Sequence, residues 1–111
     1  MFVSVVIPTY NRRPILEKCL SALEDQQLAG VLQDYEVVVV DDGSTDGTTT
    51  WLRQQAYRFP HVRLIEQEHG GPAEGRNRGV DHARGDVIVF IDSDLVVTET
   101  FLATHVRALK Q

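Results

Sequence analysis

The chain has 111 residues, 42% of them hydrophobic and 24% charged, enough for one small soluble domain over residues 1–111 and too few for two. Its formal net charge is −5, and its nine Arg and two Lys are scattered, which excludes the concentrated basic face that a nucleic acid or an anionic membrane requires. The acidic excess falls in clusters and fits a hard metal ion better.

From the N-terminus, Met1-Phe2-Val3-Ser4 carries no basic leader and runs directly into a strand, so no signal peptide is expected. Val3 to Ile7 is an apolar run closed by Pro8, the pattern of a strand buried on both faces. Pro14 suits the first turn of a helix reaching about Leu28, with Ile15, Leu16, Cys19, Leu20 and Leu23 on one stripe. Cys19 is the only cysteine, so no internal disulfide is available. On that stripe it reads as core, and the expected setting is reducing: the cytoplasm, or the cytoplasmic face of a membrane for a longer parent protein. Glu36 to Val40 is a second buried strand, ended by Asp41-Asp42-Gly43-Ser44. A helix from about Asp46 places Trp51, Leu52, Ala56 and Phe59 on one side and stops at Pro60. Val62 to Ile65 is the third strand. Pro72 opens a helix to about Arg84, with Gly85 placed to end it as a C′ glycine. Val87 to Ile91 is the fourth strand, and Thr98 caps a last helix that bears Phe101, Leu102, Val106 and Leu109 and includes Lys110. No uninterrupted apolar strand run exceeds five residues, against about 20 for a membrane span. Strands alternating with helices imply a parallel sheet with helices on its faces.

In such a sheet, ligands bind beyond the carboxyl ends of the strands, where strand order reverses. The polar residues collect there: Pro8-Thr9-Tyr10-Asn11 after the first strand, Asp41-Asp42-Gly43-Ser44 after the second, Asp92-Ser93-Asp94 after the fourth. An Asp after a strand commonly caps a helix or forms a turn. Four at one sheet edge point instead to a cation and a hydroxyl-rich ligand, because crowded carboxylates need hydrogen bonds or a counter-charge.

Val3-Ser4-Val5-Val6-Ile7-Pro8-Thr9-Tyr10-Asn11-Arg12, the Val39 to Thr48 segment, Gly70-Gly71-Pro72-Ala73, Arg76-Asn77-Arg78-Gly79 and Phe90-Ile91-Asp92-Ser93-Asp94 resemble, in order and spacing, family 2 glycosyltransferases of the GT-A fold. The resemblance covers nearly the whole chain and rests on the five segments together; the Asp-x-Asp alone is weak. It implies a Rossmann-like three-layer α/β/α fold with a mostly parallel sheet of strand order 3-2-1-4. It also implies inverting transfer of a sugar from a nucleotide diphosphate, usually UDP, to an acceptor saccharide, lipid or protein. By the same resemblance, Pro8, Thr9, Tyr10, Asp41 and Asp42 belong to the nucleotide-sugar site, with the Tyr10 ring on the base and Asp42 accepting the uracil imide N–H. Asp92 meets the ribose or a metal-bound water, and Asp94 coordinates Mn²⁺ or Mg²⁺ bridging the diphosphate. Residues i and i+2 of a strand share a face, so Asp92 and Asp94 converge if the strand continues and take separate roles if it ends near Asp92. Arg76 has two readings, a diphosphate contact from the third helix and a solvated surface position. His61, His69, His82 and His105 lack metal-ligand spacing and read as surface residues, His69 alone lying next to the glycines of the site.

A dinucleotide-binding enzyme needs G-x-G-x-x-G after the first strand, and the turn there has no glycine. A P-loop, the early acidic pair of a receiver domain and the glycine-rich loop of a nucleotidyltransferase are absent as well. Family members of this kind continue for roughly another 100 residues, which carry the acceptor site and the general base. No catalytic base is therefore expected within this chain, which reads as a donor-binding half; the competing reading is a nucleotide- and metal-binding module with no turnover of its own. Finally, the fourth strand lies at an edge in the order 3-2-1-4, yet has no charge, proline or glycine between Asp86 and Asp92. Natural edges are usually interrupted, so a homodimer through paired fourth strands is expected, with the last helix covering the edge or swapping onto a neighbour.

Overall fold

A computed structural model describes residues 1–109; Lys110, placed by sequence in the last helix, lies outside the described residues. In chain order the elements are β1 (Phe2–Thr9), α1 (Arg13–Glu24), β2 (Asp34–Asp41), α2 (Thr48–Gln54), a single 3-10 turn (Ala56–Arg58), β3 (Val62–Glu66), α3 (Pro72–His82), β4 (Val87–Phe90) and α4 (Phe101–Leu109). The four strands form one parallel sheet of order β3-β2-β1-β4, as the resemblance implies.

Alternation along the strands divides the core into two layers. Val3, Val5 and Ile7 of β1 and Val37 and Val39 of β2 face α1, α2 and α4, where Leu16, Leu20, Leu23, Trp51, Leu52, Leu102 and Val106 complete the larger core. Val6, Val38 and Val40 face the other way, with Ile65 and Ile88 packed beside them. That second layer is roofed by α3, whose buried residues are Gly75 and Gly79 rather than apolar side chains. A Cβ at Gly79 would stand 2.2 Å from Val6 Cγ1. The glycines thus let the helix axis lie close on β1.

β1 pairs with β2 over its whole length, from Phe2↔Asp34 to Thr9↔Asp41, but with β4 only from Val3↔Val87 to Val6↔Phe90. The Ile91 N–H still reaches the Val6 carbonyl. Backbone direction alternates along a strand, so Pro8, two residues on, turns its nitrogen to the same side and has no N–H to offer. The ladder ends there, and β4 parts from β1 at their carboxyl ends.

Several expectations are corrected. α1 ends at Glu24 rather than near Leu28, because the following residues dock α4. Gln26 donates to the Thr98 carbonyl at 2.7 Å and accepts the Leu102 N–H at 3.0 Å, and the Gln27 N–H reaches the Glu99 carbonyl. Thr98 consequently does not cap the last helix; its hydroxyl meets Thr100, and the cap is supplied from α1's end by Gln26. This holds α4 on the α1 side of the sheet instead of over the β4 edge. Gly85 does not end α3 in a left-handed turn, since Ala83 follows the helix in extended conformation. It is glycine because a Cβ would lie 2.7 Å from Ser4 N and 2.8 Å from the Phe2 carbonyl oxygen. Ala56 and Leu109 are exposed, Ala56 because α2 gives way to the 3-10 turn before reaching it.

Beneath the α3–β4 turn, buried Glu36 accepts Ser4 Oγ, the Arg84 N–H and Arg63 Nη1. Burial raises its carboxyl pKa, and these donors outweigh burial and leave it below the ordinary 4.5. Gln26→Ala removes a cap and leaves the Leu102 N–H unpartnered in a buried position; it should lower the unfolding free energy by about 1–3 kcal/mol, measured by urea denaturation.

Candidate functional site

The parting of β1 and β4 opens a cleft of about 420 Å³ at the carboxyl edge of the sheet, lined by Pro8, Thr9, Tyr10, Arg12, Asp42, His69, Pro72, Arg76, Asp92, Ser93 and Asp94. This is the position where strand order reverses, since β2 and β3 lie on one side of β1 and β4 on the other. Of the residues expected at the site, Pro8, Thr9, Tyr10, Asp42, Arg76, Asp92 and Asp94 are brought together there.

Asp41 is not. It is buried, and its carboxylate folds back on Ser44, accepting the N–H at 2.9 Å and the hydroxyl at 2.5 Å. Asp46 also serves the scaffold. It accepts the Thr48 N–H at the start of α2 and the Arg13 N–H at the start of α1. Its hydrogen bonds from Thr48 and Arg13 overcome a desolvation effect of opposite sign and hold its pKa below 3.8. Asn11, in left-handed conformation at φ 50°, binds Ser44 and Thr45 by three hydrogen bonds. The loops after β1 and β2 are thereby stitched together, and Tyr10, just before this turn, is left half-exposed over the cleft.

Asp42 is buried at the cleft wall, and its carboxylate gathers the loop that precedes α3. Oδ1 accepts Gln67 Nε2 at 2.8 Å and the Gly70 N–H at 2.7 Å; Oδ2 accepts the Gly71 N–H at 3.0 Å, and His69 Nδ1, bonded to the Asp42 carbonyl at 3.1 Å, stands 2.9 Å from it. Burial raises this carboxyl's pKa, but Gln67, Gly70, Gly71 and His69 more than offset it and lower it from 3.8. Asp92 and Asp94 are exposed while Ser93 between them is buried. The strand ends at Phe90, and a turn closed by the Leu95 N–H on the Asp92 carbonyl carries both carboxylates to the cleft. Asp94 stands 3.8 Å from Arg12, both half-exposed, a weak, solvent-screened pair. Arg76 reaches the cleft from α3, so the contact reading has the required placement.

Among the described residues Thr9 Oγ1, of a cleft-lining residue, and Gln67 Oε1, of the residue bonded to Asp42, are buried without a hydrogen-bond partner. Among the described residues no group of three or more His, Cys, Asp or Glu is placed to hold a metal by itself. The cleft's own donor set, two exposed carboxylates, fits a hard divalent ion that takes its remaining oxygen ligands from phosphate and water, the usual mode of Mg²⁺. Cys19 is core, as expected: burial, with a contribution from Asp94, pushes its thiol up to about 12, and such a thiol is inert as a nucleophile.

Arg12, Pro72 and Ser93 lie within the segments that carry the resemblance but are assigned no role by it; the loop stitching, α3 and the turn after β4 bring them to the cleft. Of the histidines expected at the surface, His61 is part-buried, stacked on Tyr35 at 4.1 Å and bonded to Glu24, and His69 lines the cleft.

The sequence matches the family described as "Glycosyl transferase family 2" over residues 4–111. The chain belongs to glycosyltransferase family 2. Within that family it is 37% identical over 108 residues to the uncharacterized glycosyltransferase YfnE of Bacillus subtilis, covering 97% of this chain and 27% of YfnE. Among solved structures, the mannosyltransferase PcManGT of Pyrobaculum calidifontis, in complex with GDP-Man and Mn²⁺, superposes with a TM-score of 0.85 at 35% identity over 98% of this chain and 32% of its own. TarS of S. aureus in complex with UDP superposes with a TM-score of 0.83 at 29% identity over 99% of this chain and 32% of its own. The chain thus spans about a third or less of these glycosyltransferases.

Asp42→Asn replaces two acceptor oxygens with one and sets an NH₂ against N–H donors. It should destabilise the fold by about 1.5–3 kcal/mol, read by thermal or urea unfolding at neutral pH. Because folding lowers the pKa of Asp42, its stabilisation is fully present above 3.8 and is lost as pH falls through the folded value. The wild-type protein should therefore lose stability in that acid range more steeply than the variant.

Proposed function

We propose that this chain is the donor half of a metal-dependent glycosyltransferase and binds a nucleotide-diphosphate sugar, a UDP-sugar in the first instance, in the β1–β4 cleft. The observation that carries the reading is the meeting of an aromatic ring, an anchored carboxylate, two exposed carboxylates and two arginines in one opening. The base packs on Tyr10 with an N–H toward Asp42. Asp92 takes the ribose or a metal-bound water, Asp94 holds the ion, and Arg12 and Arg76 face the diphosphate. A bound Mn²⁺ or Mg²⁺ would neutralise charge that develops on the leaving diphosphate. The complexes of PcManGT with GDP-Man and Mn²⁺ and of TarS with UDP support this assignment.

On this reading Asp42 is buried and committed to the loop and the base, and Asp92 and Asp94 are engaged by donor and metal, so no cleft carboxylate is left as a covalent nucleophile. That fits a single inverting displacement by an acceptor saccharide, lipid or protein. None is left as the base that takes the acceptor's proton either, a contribution worth roughly 10²–10⁴ in rate, so the 111-residue chain binds donor without transferring sugar. No helix among the described residues is long and apolar enough to cross a membrane, and we place the domain in the cytoplasm or at a membrane's cytoplasmic face, where Cys19 stays reduced.

Among the described residues no strand pairs with the outer side of β4, and Phe90 is 47% exposed. Open N–H and C=O groups on an uncharged edge invite pairing, and we assign this edge to a two-fold homodimer with antiparallel fourth strands. Light scattering at tens of micromolar should report a dimer; a stable, soluble monomer would exclude it.

Calorimetric titration tests the main reading. UDP should bind more tightly with Mn²⁺ than without, and Asp94→Ala should abolish that gain. A gain left intact in the variant would remove Asp94 from the metal site. Metal-dependent transfer to an added acceptor by the chain itself would show a complete enzyme.

A further inference from the structure

Tyr10 and Asp42, the two residues on which the proposed base site rests, already hold a ring. The His69 imidazole lies against Tyr10 with centroids 4.5 Å apart and planes inclined by 43°, a favourable tilted geometry for aromatic rings. Its Nδ1–H bonds to the Asp42 carbonyl at 3.1 Å, and Nδ1 stands 2.9 Å from Asp42 Oδ2. A nucleobase seated as described above needs the same two contacts, a face on Tyr10 and an N–H on Asp42.

The open acceptor position on the carboxylate is the one this ring covers. Oδ1 accepts Gln67 and Gly70 and Oδ2 accepts Gly71, and the imidazole stands against the lone-pair site that Oδ2 has left. The glycine donors are backbone N–H groups of the loop itself. The His69 side chain is 64% exposed, whereas that of Asp42 is 6% exposed. Rotating His69 outward leaves Gln67, Gly70 and Gly71 on Asp42, so the loop stays pinned while one acceptor position on Oδ2 and one face of Tyr10 become free together. Side-chain rotations of this kind are common at binding sites whose backbone stays fixed.

We propose that His69 is an internal stand-in for the nucleobase: it fills the base subsite of the ligand-free protein and must swing out before a nucleotide enters. This rests on the base placement proposed above. A subsite that is open only part of the time weakens apparent affinity by the open fraction, so His69 tunes donor affinity from within the pocket.

The test uses the full chain, with UDP and Mn²⁺ as the probe, and two readouts. Without nucleotide, the His69 ring-proton resonances should be displaced by the Tyr10 ring and move on Tyr10→Leu; saturating UDP should move the wild-type resonances toward those of an exposed histidine. In calorimetry, His69→Ala should bind UDP about three- to tenfold more tightly than wild type, because the competitor is gone. Weaker or unchanged binding overturns the stand-in, as do His69 resonances that stay in place while UDP binds, and both results leave the base site standing. Failure of UDP to bind either protein, with the Tyr10→Leu shift present, overturns the base placement and the stand-in with it.

Discussion

The site depends on where β4 stops pairing with β1. The last ladder bond runs from the Ile91 N–H to the Val6 carbonyl, and the next position on that side of β1 is Pro8, which has no donor. A residue with an N–H there would invite β4 to continue and close the crevice. Because the strands part, the chain after Phe90 is free to turn at Asp92 and present Asp92 and Asp94 to the same opening as Tyr10. On the other face, Gly75 and Gly79 let α3 settle on β1, which sets Pro72 and Arg76 at the rim of that opening.

Around this opening the carboxylates divide by how fully their lone pairs are used. Burying a carboxylate is costly unless donors surround it, and Glu36, Asp41 and Asp42, all buried, are surrounded. These build: Glu36 ties the α3–β4 turn to β1, Asp41 closes the turn after β2, and Asp42 holds the loop before α3. Asp46, though exposed, spends its oxygens on the first turns of α1 and α2. Asp92 and Asp94 stand in water with capacity left for a cation. Asp42 belongs to both groups, because its three donors hold the loop while an exposed imidazole stands beside the acceptor position left on Oδ2.

Period and punctuation made most of the fold legible. Alternating apolar strands and Pro-started helices predict each strand within a few residues, and the resemblance supplies the strand order that the sheet adopts. The misreadings share a cause, which is contact between residues distant in sequence. Gln26 ends α1 early because it serves α4, 76 residues on. Gly85 looks like a helix stop by position, yet its need comes from the backbone of Ser4. His61 looks like a surface residue until Tyr35 and Glu24 meet it.

The same division holds at the site. Sequence alone determined the family, the acidic sheet edge and seven of the cleft residues, because these follow from residue type, local order and the rule that ligands sit at strand carboxyl ends. Tertiary structure alone decided which carboxylates are available. Asp41 and Asp42 are neighbours that strand alternation sends to opposite sides, but the sequence does not say which partners each will meet. Asp41 turns onto Ser44, while Asp42 meets a loop that arrives after α2 and β3 and brings Gln67, His69, Gly70 and Gly71 to it. Hydrogen-bond saturation depends on every donor within about 3 Å, and those donors come from wherever the folded chain happens to pass.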